Sequence, residues 1–408
     1  MLREICVEKL KKVPALRFPN FKGEWAETPG GKLFGNSRAR GVEGLPIYSV
    51  TLTKGLVPRD SLDRRFEGDA ATAVNLRAKP GDLVYNMMRM WQGAAGRADV
   101  DCMVSPAYVV LSPKNGTDTV YFNYCLQRAR SLYNLWAYSY GLTSDRLRLY
   151  FQDFGRIKFH LPSHPEQKKI AVFLGTVDDK ISALRRKREL LQTYKRGLMQ
   201  KIFSQELRFK ADDGAEFPAW EKKRLGEIFH RVTRKNTVNC RNVLTISAQQ
   251  GLVNQKEYFN KAIAAEDISG YYLLKHGDFA YNKSYSKGYP MGAIKRLLHY
   301  HEGIVSTLYI CFSAENTTDS RFFEQYFESG FLNRELHKIA QEGARNHGLL
   351  NLSVVEFFKD IILSKPHPAE QQKIADFLSA IDAKINAVAA QIEKMQAFKK
   401  GLLQQMFV

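Results

Sequence analysis

Glu166-Gln167-Lys168-Lys169-Ile170-Ala171-Val172-Phe173-Leu174 is the stretch on which the reading of this chain turns, because it comes back, from 166 to 370, as Glu370-Gln371-Gln372-Lys373-Ile374-Ala375-Asp376-Phe377-Leu378. At the same offset of 204, Lys195-Arg196-Gly197-Leu198-Met199-Gln200-Lys201-Ile202-Phe203 returns as Lys399-Lys400-Gly401-Leu402-Leu403-Gln404-Gln405-Met406-Phe407. Both copies are helical in pattern, and each follows a long, dissimilar segment. Outside them, Leu16-Arg17-Phe18 recurs as Leu207-Arg208-Phe209, and Trp25, Gly31 and Phe34 recur as Trp220, Gly226 and Phe229. Gly55-Leu56-Val57 matches Gly251-Leu252-Val253, and Gly81-Asp82-Leu83-Val84-Tyr85-Asn86 matches Gly277-Asp278-Phe279-Ala280-Tyr281-Asn282. A period of roughly 200 residues is too long for a solenoid unit. The chain is a duplicated domain with a shared scaffold and divergent decoration.

Composition supports two cores. The 408 residues, 44% hydrophobic and 12% aromatic, suit two or three globular domains. No run approaches the roughly 18 apolar residues of a membrane span, and the charged start Met1-Leu2-Arg3-Glu4 lacks a secretory apolar run, so a cytoplasmic location is expected. Cys6, Cys102, Cys125, Cys240 and Cys311 are widely spaced and odd in number, which reads as reduced thiols. Sixty-one Lys and Arg against 42 Asp and Glu give +19. That balance favours a polyanion such as nucleic acid; an acidic protein partner is the other reading.

In the repeated helices, Leu174, Val177, Ile181, Leu184, Arg188, Leu191, Tyr194, Leu198 and Ile202 follow one another at intervals of mostly three and four. The second copy sets Leu378, Ile381, Ile385, Val388, Ile392, Met395, Phe398, Leu402 and Met406 in the same register. Each seam covers about 39 residues, roughly 57 Å of helix, and needs a partner. Matching seams on two halves related by a twofold axis predict an antiparallel coiled coil. The alternative is that each helix packs on its own domain. Pro165 and Pro368, followed by Glu166 and Glu370, are start signals, with the carboxylates in the first turn where the helix dipole favours them. Arg185, Arg186, Lys187, Arg188, Lys195, Arg196 and Lys201, opposed by Glu189, form either a solvated face or a rail beside a phosphate backbone.

The variable segments read as α+β. The first half has apolar runs at 47–52, 83–86 and 108–111, separated by turn signals, then a helix at about 120–136. The second half repeats the order at 243–247, 279–282 and 308–312, with a helix at about 320–340.

The doubled Glu-Gln-x-Lys-Ile-Ala-x-Phe-Leu helix start, the doubled Lys-x-Gly-Leu-x-Gln-x-x-Phe helix end and the Gly-Asp-x-x-Tyr-Asn strand of each half together resemble the DNA-specificity subunits of type I restriction-modification systems. The resemblance covers nearly the whole chain. It implies two pseudo-twofold related target-recognition domains, at 1–163 and 205–366, separated by two long helices at 164–204 and 367–408 that form an antiparallel coiled coil. It further implies a double-stranded DNA ligand read as a bipartite, asymmetric site. Two modification (methyltransferase) subunits would dock on the helices and bind S-adenosylmethionine themselves, restriction subunits could join through the complex, and this chain would hold no cofactor or metal.

Two pairs of loops are candidates for DNA contact. After the shared strand, Arg89, Trp91 and Gln92 occupy the place that Lys283, Tyr285, Lys287 and Tyr289 occupy in the second half; Arg89 and Gln92 have donor patterns suited to guanine and adenine edges. A structural turn with solvated charges is the competing reading. The resemblance places further contacts after the domain helices, at Tyr138, Ser144 and Arg146 and at Arg345, Asn346 and His347, where Gly141 and Gly343 would admit a phosphate. Catalytic motifs are absent: there is no Asn/Asp-Pro-Pro-Tyr/Phe loop, no methyl-donor glycine turn and no phosphate loop. Gly30-Gly31-Lys32 reads as a turn, and His299 and His301 as an exposed loop without metal-ligand company. The rival readings are a self-contained DNA methyltransferase or nuclease with unrecognised motifs, and an RNA-binding coiled-coil factor.

Overall fold

The computed structural model describes residues 12–62, 74–114, 116–143, 145–260, 267–340 and 350–408. It divides into two compact units, one comprising Met1–Arg185 with Ala390–Val408 and the other Arg186–Ala389. Both long helices, His164–Phe203 and Pro368–Gln405, contribute one portion to each unit. Among the described residues no helix is long and apolar enough to cross a membrane.

In the first unit a four-stranded antiparallel sheet has the order Phe34–Ser37, Tyr108–Pro113, Leu83–Asn86, Ala95–Arg97. A hairpin pairs Tyr48–Thr51 with Gly55–Pro58, and further pairs join Leu76–Ala78 to Cys102–Val104 and Ala26–Pro29 to Lys158–Leu161. The second unit repeats the topology strand for strand, in the order Phe229–Arg231, Ile310–Ala314, Phe279–Asn282, Ala293–Arg296. The repeated Gly-Asp-x-x-Tyr-Asn motif explains itself here. Gly81 and Gly277 turn at φ of 95° and 94°, a conformation that a Cβ resists. The Asp82 and Asp278 carboxylates accept the Lys79 and Lys275 amides at 2.9 and 2.7 Å. Tyr85 and Tyr281 fill the cores, and the Asn86 and Asn282 side chains each accept an amide two residues on, at 3.0 Å, starting the next loop.

The helices expected at 120–136 and 320–340 are each broken in two. Arg128 is extended, separating Thr119–Leu126 from Ala129–Ala137. Gly330, at φ 81°, lies between Ser320–Glu328 and Asn333–Ile339. The expected turn at Gly30 is instead one helical turn, Gly30–Leu33. A Cβ on Gly30 would lie 2.6 Å from the Phe154 carbonyl oxygen, so glycine lets this turn press on the helix Phe151–Arg156.

Each core joins its sheet to both long helices. In the first unit Phe34, Phe122 and Phe154 lie in one cluster with Ile170, Leu174, Val177 and Ile181 of the first long helix and Leu402, Met406 and Phe407 at the end of the chain. In the second, Phe229, Phe312 and Phe357 share a cluster with Leu378, Ile381 and Ile385 and with Met199, Ile202 and Phe203. Within each unit the helix portions run antiparallel. In the first, Leu16 bonds Gln405 while neighbouring Arg17 holds Glu166, and further along Lys399 meets Asp178. In the second, Arg208, just past the first helix, holds Glu370, while Lys195 reaches Asp382. Of the seam residues, Leu174, Val177, Ile181, Leu184, Ile202, Leu378, Ile381, Ile385, Val388, Ile392, Leu402 and Met406 are buried, and Leu191, Leu198 and Met395 are half-buried.

Three seam assignments are corrected. Arg188 is exposed, and so are Tyr194 and Phe398, at 56% and 50%. The inward face at that level passes one residue further on, through Lys195 and Lys399, and each residue turns the helix by about 100°. Glu166 and Glu370 are likewise not simple dipole partners. Their side chains are 1% and 0% exposed and are gripped by both forks of Arg17 and Arg208 at 2.7–2.8 Å.

Candidate nucleic-acid interface

In the first unit the Asn86 turn launches a loop that closes as a 3-10 turn, Met90–Gln92, with Met90 buried as its anchor. Arg89 and Gln92 are left exposed, and the half-buried Trp91 fixes its indole by donating to the Met88 carbonyl at 3.0 Å. The second candidate loop leaves the helix Ala129–Ala137 and returns through a bridge in which Tyr140 and Arg148 exchange backbone hydrogen bonds at 3.1 and 2.9 Å. Two further bonds tie the loops together: Leu149 N–H to the Met87 carbonyl at 3.0 Å, and the Tyr85 hydroxyl to the Leu149 carbonyl at 3.3 Å.

The two loops therefore form the walls of one cleft of about 880 Å³, whose lining includes Arg89, Trp91, Gln92, Tyr140, Arg146 and Arg148. Among the described residues no carboxylate pairs with Arg89, Arg146 or Arg148. Three guanidiniums beside aromatic rings, with Asp145 as the one carboxylate among the described lining residues, can serve phosphates, guanine edges and base faces. Gly141 has a different role from the one expected: a Cβ there would lie 2.3 Å from the Arg146 carbonyl oxygen, so glycine lets the loop close on itself. Tyr138 is exposed but stands outside the cleft. Ser144 lies outside the described residues.

In the second unit the corresponding loop follows Asn282. Lys287 is exposed, Tyr285 is 64% exposed, and Lys283 is half-buried. Its carbonyl accepts from Leu350 N–H at 3.0 Å, as Met87 does from Leu149. Tyr289 does not belong with them. Its hydroxyl donates to Glu328 at 2.6 Å, burial raises its pKa, and Lys295 covers its ring while pairing with the same carboxylate. Arg345, Asn346, His347 and Gly343 lie outside the described residues.

Sequence reasoning had Tyr140 inside the second candidate loop without singling it out, and missed Arg148 and Tyr150 as cleft residues. A signal existed: Arg146-Leu147-Arg148-Leu149 alternates basic and apolar residues, as an extended segment with one face inward does, and Leu149 is fully buried. On the first long helix Arg185, Arg186, Lys187, Arg188, Arg196 and Lys201 are exposed, whereas Lys195 is bound to Asp382 and leaves the basic row. His299 and His301 are exposed, and no described group of residues has the makings of a metal site.

Residues 29–193 match the family described as "Type I restriction modification DNA specificity domain". Over 386 residues the chain is 24% identical to the type I restriction enzyme MjaVIII specificity subunit of Methanocaldococcus jannaschii, an alignment covering 86% of this chain and 85% of that one. Its fold is similar to the crystal structure of the type I restriction-modification system S subunit from M. genitalium, at 14% identity, 97% and 99% coverage and a TM-score of 0.55. It is also similar, at 15% identity, 94% and 97% coverage and a TM-score of 0.52, to a chain solved in work on complex assembly and conformational transition of the type I system.

Proposed function

We propose that the chain is a DNA-specificity subunit of a type I restriction-modification system, and that its two units read the two unlike parts of one split, asymmetric duplex sequence. The chain supplies recognition and not catalysis. The observation that carries the reading is the convergence of Arg89, Gln92, Arg146 and Arg148 on one cleft, at a position where the second unit carries Lys283, Tyr285 and Lys287 instead. Arginine paired with guanine O6 and N7, and glutamine with adenine N6 and N7, are the major-groove contacts that distinguish bases. Unlike side chains on like scaffolds predict unlike half-sites.

The functional division follows the repeats: recognition domains at 1–163 and 205–366, long helices at 164–204 and 367–408. The helices set the number of unread base pairs between the half-sites, so residues inserted near Phe203 and Ser204 change that number. They also dock two methyltransferase subunits, which bind S-adenosylmethionine and modify the DNA; restriction subunits join through the same complex.

The test is the methylation pattern of DNA from cells producing this chain with its methyltransferase partner. Exchanging residues 25–160 for those of a relative is expected to alter one part of the methylated sequence and leave the other as it was. Change in both parts, or in neither, overturns the reading. Methyl transfer or cleavage by the purified chain alone would favour the self-contained enzyme instead.

A further inference from the structure

Leu142 stands at the mouth of the first unit's cleft with its side chain wholly in solvent, at 102% of the reference exposure. A single exposed leucine ordinarily calls for no account. Here the surroundings do. The backbone exchange between Tyr140 and Arg148, the Arg146 amide on the Thr143 carbonyl at 3.1 Å and the tight closure at Gly141 hold the turn that carries it. The base of the turn is tied to the sheet through Leu149, and Met88, 44% exposed, stands on the facing loop. An apolar tip thus stands, on a hydrogen-bonded turn, beside Arg89, Arg146 and Arg148, three cations against the single carboxylate of Asp145 among the described lining residues.

A duplex offers apolar surface in two places, the thymine methyl in the major groove and the faces of stacked bases. A methyl contact is made by a side chain lying along the groove wall. A branched side chain at full projection on a braced turn, with cations beside it to hold the flanking phosphates, is built to enter the stack. We infer that Leu142 is a wedge that inserts between two base pairs of the half-site read by the first unit, unstacking that step and bending the duplex. The inference rests on the cleft being the duplex-binding face, and it adds a source of specificity that no hydrogen bond supplies. Pyrimidine–purine steps unstack most easily, so the sequence at the wedge is selected by deformability.

The experiment uses the chain assembled with its methyltransferase subunits and duplexes carrying 2-aminopurine at successive positions of the first half-site. The methylated position is left out, because methyltransferases turn their target base out themselves. With the native chain, one step brightens on binding. With Leu142→Ala that brightening is lost and binding weakens about 10- to 100-fold, the range set by burial of a leucine side chain. Leu142→Met keeps both, which separates the wedge from any failure to fold. Sequence-specific binding with no brightening at any position, or brightening unchanged in Leu142→Ala, overturns the wedge and leaves the reading of the cleft standing. Loss of affinity on replacing thymine by uracil, without brightening, overturns it in favour of a methyl contact. An assembled complex that does not discriminate duplex sequences overturns the reading of the cleft itself.

Discussion

Lys399 donates to both carboxylate oxygens of Asp178, at 2.7 and 2.8 Å, and the residues that match them in the other copy, Lys195 and Asp382, make the same pair at 2.7 Å with the helices exchanged. Each carboxylate has a second donor from its own head: the Tyr124 hydroxyl on Asp178 at 2.7 Å, and the Gln325 amide on Asp382 at 2.9 Å. The pairs are only part-buried, so each one stabilises by about 1 kcal/mol. Asp178→Lys is expected to lower stability by somewhat more, through repulsion from Lys399, and the double exchange Asp178→Lys with Lys399→Asp to recover part of the loss. Urea denaturation of the four forms checks the coupling; strictly additive effects would remove the pairing from the argument.

The Arg208–Glu370 pair is a more consequential lock. Its carboxylate is fully buried and also accepts the Trp220 indole at 3.0 Å. Arg208→Ala strands that charge and should cost about 3–5 kcal/mol. The matching Trp25 indole has no hydrogen-bond partner among the described residues. Trp220→Phe is therefore expected to cost about 1.5–3 kcal/mol more than Trp25→Phe, the value of a hydrogen bond to a charged group. Equal losses in paired denaturation curves would show that Glu370 does not use the indole.

Asp82 and Asp278 occupy the same turn but differ in charge balance. Burial raises both carboxyl pKa values above the ordinary one, opposed at Asp278 by the Arg234 guanidinium. A carboxyl raised on folding favours the folded state while protonated, and that contribution is lost as pH rises through the folded pKa. Asp82→Asn, which keeps an acceptor for the Lys79 amide, should gain stability relative to the native chain as pH rises from about 4 towards neutrality. Asp278→Asn should follow the same trend, since burial outweighs Arg234 and leaves its carboxyl raised as well. Melting temperatures of both variants and the native chain at pH 4 and 7 test it; a gain that is absent or reversed on going to pH 7 would show that the turn carboxylates are not held against their charge.

Tyr289 should prove structural. Tyr289→Phe removes the bond to Glu328 and is expected to cost about 1–2 kcal/mol without altering the methylated sequence. A changed half-site would return Tyr289 to the recognition surface.

Gly141→Ala drives a methyl group into the Arg146 carbonyl, 2.3 Å from the ideal Cβ position. The loop must open, displacing Arg146 and Arg148 together. The first half-site should weaken about 10- to 100-fold, as when one or two base contacts are lost, while the second is unchanged. Competition binding with duplexes altered in one half at a time distinguishes the two.

The duplication, the α+β class and the antiparallel helix pairing were all legible in the sequence, because a repeat at fixed offset and a three-four apolar spacing are properties of order along the chain. So was the loop after the shared strand, since Gly-Asp-x-x-Tyr-Asn occurs twice. Tyr194 and Phe398 were misread because apolar spacing does not record a drift of one residue on a long helix. Glu166 and Glu370 were misread because their arginine partners lie about 150 residues away in sequence. Arg148 was overlooked for a related reason: its place beside Arg89 depends on Leu149 bonding across to Met87.

Residue order alone therefore determined that there are two heads and two paired helices, since amphipathic period and repetition need no knowledge of neighbours. Which side chains share a cleft, which carboxylates are buried and which tyrosine faces solvent were decided by tertiary structure. Those properties arise only when residues far apart in the chain compete for the same volume and the same hydrogen bonds.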